Sequence, residues 1–101
     1  MNIQEIIDTV NKGLAVDGHG PFESSNETES FHRTVVRGTL AGRDISVEID
    51  EDDETSEYQV SITLRDLDTD QPIGRGNGGP TLQDAGSIFQ WKNAVSDLKL
   101  L

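Results

Sequence analysis

Ile45-Ser46-Val47-Glu48-Ile49-Asp50-Glu51-Asp52-Asp53-Glu54-Thr55-Ser56-Glu57-Tyr58-Gln59-Val60-Ser61-Ile62-Thr63-Leu64 decides the fold. Ile45, Val47 and Ile49 alternate with polar residues before the acidic run, and Tyr58, Val60, Ile62 and Leu64 alternate after it. A period of two turns one face of each segment to a core and the other to water, so both segments read as β-strands. Between them, seven of the ten residues 48–57 are acidic, which makes this connection an acidic hairpin tip. Carboxylates crowded in that way repel one another and are tolerated only in water or against a basic surface. Continuing to Asp70 adds Asp66, Asp68 and Asp70 against the single base Arg65. Residues 48–70 thus carry −9 of the chain's net −11.

Working outward, the 101 residues amount to a single domain, 1–101, with one modest core. The absence of cysteine excludes disulfides and thiolate metal sites and favours an intracellular protein. With no secretion signal or membrane-length apolar run in the sequence, a cytoplasmic protein is expected. The strong negative charge disfavours direct binding to nucleic acid or to anionic membranes. A basic protein surface is the complementary partner.

Asn2 and Glu5 have the spacing of a capping box, and Ile3, Ile6, Ile7, Val10 and Leu14 form an apolar stripe. A helix over residues 2–13 follows. Residues 17–30, DGHGPFESSNETES, show no period and read as a flexible loop. Residues 31–41 are rich in β-branched side chains and give a first strand. Arg33 and Arg37 share a face of it, with cross-strand pairing to acids such as Glu48 as their expected role. Residues 45–50 and 57–65 give the second and third strands. Residues 66–79 read as a loop, and Pro80-Thr81 opens a helical region running to about Leu98, with Trp91 anchoring the core. Gly86, and Ser87 followed by Gln90, leave open whether that region is one kinked helix or two. The expected class is α+β, in the order α-β-β-β-α, with helices on one face of a three-stranded antiparallel sheet.

Chemical motifs are incomplete. Asp66, Asp68 and Asp70 have the 1-3-5 spacing of an EF-hand loop, but Gln71 and Asn77 stand where glycine and glutamate are required. Gly74, Gly76 and Gly79 spell G-x-G-x-x-G without the following parallel strand of a dinucleotide site. His19 and His32 have no partners placed to form a catalytic triad. Neither an enzyme nor a cofactor is expected.

Three resemblances arise from particular residues. Asp66-Leu67-Asp68-Thr69 after a strand resembles the nucleophile motif of haloacid-dehalogenase-like phosphatases, over four residues and without their large α/β domain. The helix–three strands–helix order and Ala85 resemble the double-stranded RNA-binding domain. Leu82, Gln83 and Asp84 stand, however, where that domain places phosphate-binding lysines. The chain also resembles the small acidic anti-CRISPR proteins of phages, in particular a compact Cas9 inhibitor. That similarity lies in Met1-Asn2-Ile3, Ile6-Ile7, Asn11-Lys12, the acidic strand connection, and Phe89 with Trp91-Lys92-Asn93. It departs in having only Asp84 and Asp97 as acids beyond Asp70, which leaves other basic nucleic-acid-handling targets open.

The resemblance implies an inhibitor that looks like DNA to a basic nucleic-acid-binding protein such as a CRISPR effector. The expected contact residues are Glu48, Asp50, Glu51, Asp52, Asp53, Glu54, Glu57, Asp66, Asp68 and Asp70. An immunity or adaptor protein that binds a basic partner by shape is the alternative. A structural, weakly calcium-binding protein is the third.

Overall fold

The computed structural model describes residues 2–51, 59–75 and 78–100. Helix α1 (Ile3–Ala15) is followed by strands β1 (Glu23–Ser30), β2 (Arg33–Leu40), β3 (Arg43–Glu51), β4 (Val60–Asp66) and β5 (Gln71–Arg75). Helices α2 (Leu82–Ile88) and α3 (Trp91–Lys99) complete the order. The strands form one antiparallel sheet in sequence order, β1-β2-β3-β4-β5. The expected three-stranded sheet is therefore corrected to five strands. The double-stranded RNA-binding topology falls with it.

Both added strands lie at the edges, where the demand for apolar side chains is least. Strand β1, ESSNETES, is exposed along its whole length. Covered on neither face, it needs no alternation, so the segment expected to be a flexible loop is largely a strand. Strand β5 holds Pro72 and Gly74 in five residues, a composition that sheets tolerate at an edge. Its bulge gives it an extra residue, Ile73, opposite the Leu64–Arg65 step. Gly74 lies under α3, where a Cβ would come within 2.8 Å of Ala94 Cβ and 2.9 Å of Phe89 Cζ. That glycine serves helix–strand packing rather than a phosphate loop.

The core forms on one face of the sheet. Val36 and Leu40, Ile45, Val47 and Ile49, and Val60, Ile62 and Leu64 are buried against Ile6, Val10 and Leu14 of α1 and Trp91, Ala94, Val95 and Leu98 of α3. Asn2 caps α1, its Oδ1 accepting from the amides of Gln4 at 2.8 Å and Glu5 at 3.3 Å. Asn11 fastens the following segment, its Oδ1 accepting from the Phe22 amide at 2.8 Å.

The C-terminal region is two helices. Thr81 caps α2 by accepting from the Asp84 amide at 3.1 Å. Ser87 forms no cap for α3; its hydroxyl donates to Asp84 O at 2.8 Å. Phe89 leaves the helical conformation, with φ −66° and ψ 140°, and turns the chain between the two helices. Among the described residues no helix is long and apolar enough to cross a membrane.

Candidate partner-binding surface

Register separates the acids that sequence places together. Ile45 pairs with Asp66 and Asp50 with Ser61, so Asp50 and Asp66 lie five residues apart along β3. At about 3.4 Å per residue that is roughly 17 Å. Asp50 and Glu51 stand at one end of the sheet, whereas Asp66, Asp68 and Asp70 gather at the other.

Two of the ten expected contact acids hold the sheet together instead. Glu48 is only 5 % exposed on the open face of β3. Arg33 Nη2 donates to its Oε1, and Arg65 Nε donates to its Oε2 at 2.8 Å. This Arg33–Glu48–Arg65 bridge crosses β2, β3 and β4, so the expected pairing of Arg33 with Glu48 is present. Arg37 instead donates to Thr28 Oγ1 at 3.3 Å.

Asp66 is wholly buried at the end of β4. Arg43 donates to its two oxygens from Nε at 2.9 Å and Nη2 at 3.0 Å. Thr69 adds its amide at 3.0 Å and its hydroxyl at 2.7 Å, closing the β4–β5 turn. The Arg43 hydrogen bonds outweigh the opposing effect of burial and hold the Asp66 carboxyl far below the usual carboxylate range. The same contact raises Arg43, and hydrogen bonding to Glu48 raises Arg65. Glu48 and Asp66 are thus withdrawn from the contact surface. With both Asp66 oxygens engaged, the EF-hand-like spacing has lost its first ligand. Among the described residues no cluster of three or more potential metal ligands occurs.

The other described acids face water. Asp50 pairs with Arg33 at 3.4 Å, Asp70 lies 3.7 Å from Arg65, and Asp68 lies 4.0 Å from Arg43. Asp52, Asp53, Glu54 and Glu57, expected at the hairpin tip, lie outside the described residues. At the base of that connection the Glu51 amide donates to His32 O at 2.7 Å. This ties the acidic connection to the β1–β2 turn, where Phe31 is 83 % exposed and its ring centroid lies 3.8 Å from that of His32.

Strand β1 adds acids that the sequence reading missed. Glu29 pairs with Thr34, which faces Ile49; Glu27 pairs with Val36, which faces Val47. The register therefore sets Glu27 and Glu29 on the same sheet face as Glu51, two strands away. Alternate residues lie about 6.8 Å apart along a strand and strands about 4.8 Å apart, so Glu27 and Glu29 are about 6.8 Å apart and β3 runs about 9.6 Å from them across β2. The missed signal was the alternation of Glu27 and Glu29 with polar residues, which suits a charged edge strand.

Arg33, Arg43 and Arg65 are drawn into close pairs with the buried Glu48 and Asp66, and their contacts to the exposed Asp50, Asp68 and Asp70 are longer, 3.4–4.0 Å. Among the described residues this end of the sheet carries the part-exposed carboxylates of Asp50 and Glu51 and the exposed ring of Phe31. No protein-family model matches the chain, and no match was found among curated proteins or among solved structures.

Proposed function

We propose that the chain is a binding protein that engages a basic, nucleic-acid-binding partner through the β3–β4 end of its sheet. Asp50, Glu51 and the acids that follow in sequence, Asp52, Asp53, Glu54 and Glu57, stand in for phosphates. Glu27 and Glu29 extend the charged surface along the edge strand, and Phe31, in the β1–β2 turn beside Glu51, supplies an apolar contact. One observation carries the reading: Arg33 and Arg65 are both bound to the buried Glu48, so among the described residues Asp50 and Glu51 at this end share a single, longer contact, Arg33 to Asp50 at 3.4 Å. Arginines and lysines that ordinarily hold phosphates can form charge-assisted hydrogen bonds to such carboxylates. Association driven by this field is fast and weakens with salt.

The resemblance to anti-CRISPR inhibitors makes a CRISPR effector the first target to try, inside a bacterial cytoplasm. The test is capture by the immobilised chain from a bacterial lysate fraction that binds heparin, with duplex DNA added as competitor. Capture that DNA abolishes supports mimicry. A partner retained equally with and without DNA points to an adaptor that binds by shape.

A further inference from the structure

A second feature lies away from the acidic end. Between the C-terminal half of α1 and the α2–α3 corner is a cleft of about 550 Å³, a size typical of small-molecule sites. Its lining includes the edges of the largely buried Phe89 and Trp91, whose ring centroids are 4.3 Å apart, and the exposed Val16. The indole is fixed. Its Nε1 donates to Gly86 O at 2.8 Å, and the indole packs so closely on Gly13 that a Cβ there would lie 2.1 Å from Nε1.

The charges around this cleft run against those of the molecule. The chain has three lysines, and two of them, Lys12 and Lys92, line the cleft against one acid, Asp17. Both lysines are exposed. The helix ends add to the imbalance. Carbonyls at the end of α1 are taken, Ala15 O by the Gly18 amide at 3.0 Å and Leu14 O by the His19 amide at 2.9 Å. Helix α3 starts at the cleft after Gln90 with no side-chain cap; its first amide, Trp91 N, donates to Phe89 O at 3.0 Å, and the positive end of the helix dipole stands beside Lys92.

We infer that this cleft binds a small amphipathic anion, an aromatic or aliphatic body carrying one carboxylate, sulfonate or phosphate group. The body lies against Phe89 and Trp91, and the anionic group sits between Lys12, Lys92 and the start of α3. A chain of net charge −11 repels anions at long range, so affinity for one requires a local site of this kind.

The test uses 8-anilino-1-naphthalenesulfonate and its uncharged counterpart N-phenyl-1-naphthylamine, titrated into the folded protein. Trp91 is the sole tryptophan, so its quenching reports occupancy of this cleft. Saturable one-to-one binding of the sulfonate is expected, with clear preference over the neutral probe. Lys12→Gln and Lys92→Gln should each weaken it about fivefold, and the double variant about twentyfold. Lys99→Gln, outside the cleft, should leave it unchanged, and thermal melts check that all variants stay folded. Absence of saturable binding, equal affinity for the two probes, or indifference to both cleft lysines would each overturn the inference.

Discussion

Arg43 and Asp66 face each other through two hydrogen bonds, 2.9 and 3.0 Å, at the end of the β3–β4 pair away from the connection between the two strands. An acid that looks like surface charge in the sequence is here a structural anion, satisfied by a guanidinium and by Thr69. Asp66→Asn keeps the shape and removes the charge, leaving Arg43 without its partner. Its melting temperature should fall further than that of any variant at Asp68 or Asp70. The pH dependence has a definite sign. The folded carboxyl titrates below its ordinary value of 3.8, so its stabilisation is complete above that value and lost as pH falls below it. Denaturant melts of wild type and Asp66→Asn should therefore converge as pH is lowered through 4 toward 2.

Glu48 poses the same question on the open face. Glu48→Ala removes the carboxylate between Arg33 and Arg65 and leaves them only the longer contacts to the exposed Asp50 and Asp70. Because both arginines keep some contact with water, the expected loss is about 1–3 kcal/mol, less than for a fully buried pair. Urea unfolding measures it, and a change below about 0.5 kcal/mol would place Glu48 among ordinary surface charges.

Packing of β5 depends on a missing side chain. Gly74→Ala forces a methyl group toward Ala94 and Phe89 and should destabilise by about 1–3 kcal/mol, with a blue- or red-shift of Trp91 emission as α3 adjusts. Unchanged stability would mean that α3 does not rest on this strand.

One substitution should stabilise the protein. Ala41 and Gly42 join β2 to β3 as a two-residue turn, with φ of 54° and 78°. Alanine is strained in that region, and Asn-Gly is the preferred pair for such turns. Ala41→Asn should raise stability by about 1 kcal/mol, or roughly 4–8 °C in melting temperature.

Elements that bury a face were legible in the sequence. The stripe of Ile6, Val10 and Leu14 and the alternations in β2, β3 and β4 arise because one side of each must leave water. Strand β1 was hidden because neither of its sides does, and β5 because Ile73 is its only buried apolar side chain. Acidity was equally visible, but its partition was not. Whether a carboxylate near residue 48 or 66 meets an arginine or a partner depends on register, and register is fixed by pairing across strands. Phe31 misled in the opposite sense. It looked like the start of a core strand, yet it sits in the turn and projects into water.

The central claim is that the acids beginning at Asp50 substitute for phosphates. The most direct measurement is displacement of a fluorescent DNA duplex from a Cas9–guide RNA complex and from a panel of purified basic DNA-binding proteins, over a range of salt. The variant to compare replaces Asp50, Glu51, Asp52, Asp53 and Glu54 by Asn or Gln. The account predicts that the wild type displaces DNA from at least one of these proteins, less effectively as salt rises. The variant should be weaker by about tenfold or more, since five exposed pairs are lost at up to about 1 kcal/mol each. Failure to displace DNA from any of them, or equal displacement by a folded variant, would contradict it.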